Sequence, residues 1–476
     1  MALLEKLKVG IFGIGLDTYW PQFDGLKARL EGYQQQIAEQ IVSFGDVDLV
    51  DAGLVDNPER ARAIGSLFRQ QQVDIIFLYI STYALSSTVL PVVQETGVPI
   101  VVLNIQPVAA IDYQGFNALG DRGRMTGEWL AHCQACCVPE IASVFNRAGI
   151  DYHLVTGYLG ESRTWEALRD WVEAAKVAEV MRNNRLGVMG HYYAGMLDVY
   201  TDVTAQIAAF GGHIDLVEID ELAQLRSGVS DSEVTAKVAE FRRLFDVSPE
   251  CDEQELKRAA RTSVALDKLV ARHQLGSLAY YYEGTPGSTH EEIVTSVIAG
   301  NTLLTGRNVP VAGECEIKNA QAMKIMDSFG AGGSFSEFYA MDFNDDIVLL
   351  GHDGPAHFAI AEGRVGLLPL PVYHGKPGKG LSIQMTVKHG PVTLLSVCEG
   401  PDGVYMLVAE GESVVGPVLN IGNTNSRYRF SLSARDFVER WSRLGPSHHC
   451  AIGVGHLASR VEKLGDLIGV PVARVC

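Results

Sequence analysis

From Lys8 onward the chain alternates short apolar runs with stretches whose apolar residues recur every three or four positions. The run "KVGIFGIG" reads as a buried strand, and Leu26, Leu30, Tyr33, Ile37 and Ile41 then fall on one face of a helix. "VDLVDAGLV" predicts a second strand. Asn57-Pro58-Glu59 predicts the start of a helix, with an Asn cap and Pro at the first helical position, where a missing N–H costs nothing. "VDIIFLYI" and "VPIVVLNI" are apolar almost throughout, the pattern of strands covered on both faces. Strands that alternate with helices predict a parallel, doubly wound sheet.

The series restarts after a polar interval around Met181 to Arg185 with "RLGVMG", a helix from Val199 to Phe210, "HIDLVEID", two charged helices, "SLAYYYEG" and "VPVAGE". Beyond about Gly330 the texture changes. Short β-like runs such as "GLSIQMTV", "PVTLLSVCEG" and "GVYMLVAEG" are divided by Gly and Pro, which predicts an antiparallel, barrel-like region closed by a helix from about His456 to Leu467. The expected fold is therefore α/β, with two doubly wound parallel-sheet domains (1–180 and 181–312) followed by a mixed, largely antiparallel β-barrel-like domain (313–476).

A chain of 476 residues exceeds a single core, which agrees with that division. A formal charge of −18 opposes nucleic acid as a partner, because phosphate backbones are bound by Lys and Arg. The most apolar window, Val73 to Val93, carries Asp74, hydroxyl residues and Pro91, so it suits a buried strand followed by a helix and not a membrane span. The opening Met1-Ala2-Leu3-Leu4-Glu5-Lys6 lacks the basic start and apolar stretch of a signal peptide, and cytoplasm is the expected location. Cys133, Cys136 and Cys137 cluster without the second CxxC pair that a tetrahedral zinc site needs, so buried thiols are expected. "GIFGIGLD" lacks the third glycine of a dinucleotide fingerprint, and "GAGGS" directly after a helix reads as a C-cap and turn.

One stretch stands apart. Glu314 follows the apolar run Val309 to Val311 and precedes a helix whose apolar face is Ala322, Ile325, Met326 and Phe329, so it occupies the carboxyl end of a strand, where open α/β sheets place ligand groups. Glu337 lies between Phe335 and Phe338, an apolar setting that a carboxylate occupies when paired or bound to something positive. His352 ends the run "DDIVLLGH". Two Glu and one His supply the oxygen and nitrogen donors suited to six-coordinate Mn²⁺ or a similar ion, with His448 or His449 of "GPSHHC" as a fourth ligand. Spacing leaves Glu316, Asp353 and His357 open as alternative ligands.

"GECEIKNAQAMKIM", "GGSFSEFY", "DIVLLGH" and "SHHC", in this order, resemble the L-arabinose isomerase family, with the L-fucose isomerases as more distant relatives. The resemblance implies Glu314, Glu337, His352 and His449 as ligands of Mn²⁺, or of Co²⁺ or Mg²⁺, with Glu314 and Glu337 also acting as the acid/base pair of an aldose–ketose isomerase. It further implies a homo-oligomer, trimeric or hexameric, with sites near subunit interfaces. The run after Glu337, "FYAMDF", and the run after His352, "HDGPAHFAI", depart from the family pattern and leave the sugar open. A family His that reaches a neighbouring subunit's site has its rough counterpart in "HCQACCVPE", near His132 or Cys136. Candidate sugar contacts are Tyr19 and Trp20 after the first strand, Tyr282 at the end of a central strand, His357 and His448. A sugar-binding module without chemistry and a metal-dependent epimerase are the competing expectations.

Overall fold

The computed structural model describes residues 6–94, 96–370, 372–373, 376–377 and 379–476. The opening residues 1–5, on which the expectation of no signal peptide largely rests, lie outside these. The chain divides into two compact units, Met1–Glu179 and Val180–Cys476.

The first unit is built on a five-stranded parallel sheet in the spatial order Val47–Val55, Leu7–Ile14, Ile75–Tyr79, Ile100–Gln106 and Tyr152–Tyr158. Its middle strand, Ile75–Tyr79, is buried at every position, which accounts for its unbroken apolar run. Helix Leu26–Ser43 buries Leu26, Leu30, Ile37 and Ile41, as their spacing predicts. Asn57 caps helix Pro58–Gln71: its side-chain oxygen accepts from the Arg60 N–H at 2.9 Å. The apolar window from Val73 becomes a strand and then the short helix Leu90–Val93, and no helix among the described residues is long and apolar enough to cross a membrane.

In the second unit, Val311–Ala312, Ser277–Tyr281, Arg185–Gly190 and His213–Val217 form a four-stranded parallel sheet in that order. Six antiparallel strands then close into a barrel: Gly390–Gly400, His449–Val454, Gly332–Asp342, Ile347–His352, Thr424–Phe430 and Gly403–Val414, the last pairing back with the first. Strand Val472–Arg474 adds to the outside of Gly403–Val414 in parallel. Two parallel-sheet regions followed by a largely antiparallel barrel are the fold class read from the sequence.

Some boundaries differ. The helix expected from Val199 begins at Val203, because Asp202 caps it by accepting from the N–H groups of Thr204 and Ala205, and Leu197–Val199 forms a separate 3₁₀ turn. The two charged helices expected after "HIDLVEID" are three: Ile219–Ser227, Asp231–Leu244 and Glu253–His273, the middle one begun by a capping box of Ser230 and Glu233. Helix Ile317–Ser328 buries not one face but nearly its whole circumference, because it packs against strands of both the parallel sheet and the barrel. The barrel strand that follows can approach it closely at Gly333, where φ is +107° and a Cβ would stand 2.7 Å from the Met323 carbonyl oxygen.

Candidate metal centre

Strand Val311–Ala312 ends just before Glu314, and both Glu314 and Cys315 adopt left-handed backbone angles, with φ of 55° and 58°. Non-glycine residues in this region cost about 1–3 kcal/mol each and persist where surrounding bonds hold them. Here Cys315 donates its N–H to the Tyr280 carbonyl at 3.0 Å, and Glu316 donates its N–H to the Gly313 carbonyl at 3.0 Å. The tight turn delivers the Glu314 carboxylate to the start of helix Ile317–Ser328, whose dipole favours negative charge.

The barrel supplies the other groups through its register. Glu337 on strand Gly332–Asp342 pairs directly with His449 on one neighbouring strand and with Gly351, next to His352, on the other. Phe335 packs against both imidazoles, its ring centroid 4.5 Å from that of His352 and 4.3 Å from that of His449, and the two imidazoles meet edge-on at 5.3 Å. Donor atoms of Glu314, His352 and His449 lie within 4.8 Å of one another, and so do those of Glu337, His448 and His449. The structure thus brings the four expected ligands into two overlapping groups that share His449, with Glu337 on the side of His448.

His449 is fully buried. Its Nδ1 faces Glu316 Oε2 at 2.5 Å, and Glu316 is buried as well. When Glu316 is ionised it can only accept, so Nδ1 then carries the proton and Nε2 presents its lone pair. That lone pair makes no hydrogen bond and lies 3.5 Å from Glu314 Oε2. Burial holds the imidazole neutral, with its pKa lowered to about 3. A carboxylate behind a neutral imidazole, with a second carboxylate in front of it, is the arrangement of a histidine metal ligand and its supporting acid. The residues present fit a divalent cation. At His352, Nδ1 accepts from the Gly354 N–H at 2.9 Å.

His448, partly exposed, sets Nε2 at 3.6 Å from Glu314 Oε2 and 4.0 Å from Glu337 Oε2. Burial opposes its charge, but hydrogen bonds to Glu314 and Asp198 prevail and raise its pKa to about 9. Glu337 is pushed up to about 7, first by burial and then by the charge of Glu314, against the pull of His448. Burial likewise pushes Glu316 up to about 7. Glu337 can therefore hold or release a proton near neutrality.

The remaining candidates are placed as follows. Glu316 supports His449, and Asp353 Oδ1 lies 3.7 Å from His352 Nδ1. His357 is buried with Nε2 3.5 Å from Asp327 Oδ1, near the other end of the helix. Tyr282 is buried in the core of the second unit, and burial raises its hydroxyl pKa. Tyr19 and Trp20 belong to the first unit, where Trp20 Nε1 donates to Asp56 Oδ2 at 2.8 Å and Tyr19 packs edge-on against Trp20 and Phe23. Cys133 and Cys137 are buried and Cys136 is exposed, and none of them joins a metal-competent group among the described residues. Sequence reasoning missed Asp198 altogether. It lies in an irregular loop rich in aromatic and apolar residues, and its carboxylate meets a residue 250 positions away.

No family profile matches the chain. It is similar to a sulfoquinovose isomerase of Alkalicoccus urumqiensis, 20% identical over 328 residues that cover 68% of this chain and 72% of the relative. It is also similar to an L-arabinose isomerase of Nocardioides sp., 21% identical over 349 residues covering 71% and 68%. An L-arabinose isomerase of Bacillus subtilis is 21% identical over 348 residues, covering 70% and 68%.

Proposed function

Because this chain is a divergent member of the L-arabinose isomerase family, we propose that it is an aldose–ketose isomerase acting on a small sugar, a pentose or a (deoxy)hexose. The observation that carries this reading is His449: buried, neutral, backed by Glu316, and directing an unbonded lone pair at the carboxylate of Glu314. A buried imidazole lone pair directed at a carboxylate oxygen is a donor pair that a divalent cation would stabilise.

Glu314, Glu337, His352 and His449 are the residues that would hold it, as Mn²⁺ or another divalent cation such as Co²⁺ or Mg²⁺. When bound, a divalent cation polarises sugar oxygens and stabilises the negative charge that develops beside a carbonyl. The chain's own groups handle the protons. Glu314 and Glu337 form the acid/base pair: a carboxylate takes the proton from the carbon next to the carbonyl, giving an enediol, and the proton returns to the neighbouring carbon. The second carboxylate and His448 serve the hydroxyl protons. The elevated pKa of Glu337 suits it to either direction of transfer. The relatives act on different sugars by name, so the identity of the sugar does not follow from them. A homo-oligomer, trimeric or hexameric with sites near its interfaces, and a cytoplasmic location complete the proposal.

The test is a panel of aldoses incubated with and without Mn²⁺ and assayed for ketose. Ketose formed only with the ion is the expected result. Sugar binding that survives EDTA without turnover would favour a binding module. An epimer in place of a ketose, identified by NMR in D₂O, would change the reaction class.

A further inference from the structure

Asp198 sits in the turn Leu197–Val199, on the segment that follows strand Arg185–Gly190. Its backbone carbonyl accepts from Lys318 Nζ at 2.5 Å and from Ser447 Oγ at 3.1 Å. Those two bonds tie the loop to the helix and to the barrel without using the side chain. The carboxylate does something different: one oxygen, Oδ2, accepts from the backbone N–H of His448 at 2.9 Å and faces Nδ1 of the same residue at 2.6 Å. A ring held at Nδ1 by an atom that is itself held by the ring's own main chain cannot turn about χ1 or χ2 without breaking a charge-assisted bond. This matters because His448 is partly exposed, so packing alone does not fix it. The consequence is at the far side of the ring, where Nε2 points toward Glu314 Oε2 and Glu337 Oε2 at 3.6 and 4.0 Å.

We propose that Asp198 is a positioning residue: its carboxylate holds the His448 ring so that Nε2 presents a hydrogen bond to a sugar oxygen lying between Glu314 and Glu337. The role in turnover rests on the isomerase reading above, whereas the hold on the ring does not. Asp198→Asn retains the backbone carbonyl that latches the loop and removes the charged acceptor.

Two measurements test it on the full chain. In the first, diethyl pyrocarbonate modifies the histidines and peptide mass mapping follows His448, with the exposed His213 as internal reference. His448 should be modified several-fold faster in D198N than in the wild type while His213 is unchanged; equal rates for His448 overturn the proposal. In the second, on an aldose that the wild type converts, D198N should lower kcat about 10- to 100-fold with KM unchanged. The double variant D198N/H448Q should then match H448Q alone. A further loss in the double variant, or an unchanged kcat in D198N, shows that Asp198 does not act through His448. If the wild type converts no aldose, the isomerase reading fails, and the labelling result still decides whether Asp198 holds the ring.

Discussion

The buried helix Ile317–Ser328 carries a polar cluster at each end. Toward its C-terminus, Lys324 Nζ lies 3.6 Å from Asp327 Oδ2 and donates to the Asn308 carbonyl at 2.9 Å, while His357 Nε2 lies 3.5 Å from the other Asp327 oxygen. Anion and cation are matched there. At its N-terminus Glu314, Glu316, Glu337 and Asp198 gather around the histidine pair, and the nearby ammonium, Lys318, is committed to a backbone carbonyl. Carboxylates outnumber cations, and Glu316 and Glu337 are both pushed up to about 7, foremost by burial. The difference separates a cluster whose charges are matched within the core from one that, on the proposed reading, would be compensated by a bound cation, since buried anions persist where something compensates them.

Substitutions at the two ends should diverge accordingly. The largest effect is expected at the anionic end: Glu337→Gln should lower ketose formation about 100- to 10,000-fold with the melting temperature preserved, and near-normal turnover would remove Glu337 from the chemistry. At the matched end, Lys324→Met leaves the buried Asp327 carboxylate with only His357 beside it among the described residues and should cost about 3–5 kcal/mol in urea unfolding, without changing how far Mn²⁺ raises the melting temperature. Glu316→Gln weakens the support behind His449 and should reduce Mn²⁺ affinity about 10- to 100-fold by isothermal titration calorimetry. If Lys324→Met weakens Mn²⁺ binding as much as Glu316→Gln does, the two ends are not distinct. The smallest effect calibrates the others: Asn57→Ala removes a helix cap in the first unit and should cost about 1 kcal/mol, with Mn²⁺ binding untouched.

The parallel sheets could be read from the sequence because their strands are apolar runs and their helices keep one apolar face; the cap at Asn57 needed only local spacing. The barrel announced itself through short β-like runs cut by glycine. Periodicity failed on helix Ile317–Ser328, where Lys318 and Lys324 are buried because their long stems carry the ammonium groups to carbonyls of Asp198 and Asn308. In the site, Glu314 and His352 could be selected by their position at element ends, and Glu337 by its apolar neighbours Phe335 and Phe338. The choice of His449 over His448 came from family resemblance, and the structure supplies a physical distinction: His449 is buried with Glu316 behind it, whereas His448 is partly exposed and turned toward Asp198. Glu316 was open as a ligand and stands one place behind. Such partnerships across the chain leave no trace in local pattern.

The pairing of Gly390–Gly400 with Gly403–Val414 turns six strands into a hoop with no loose edge. Sliding one strand past its neighbour by a residue would invert the faces of its side chains and force a matching slip all the way round. The spacing between Glu337 and His449 is thus fixed by the circumference as a whole, so insertions should be tolerated in the loops that join the strands and ruinous within the strands themselves.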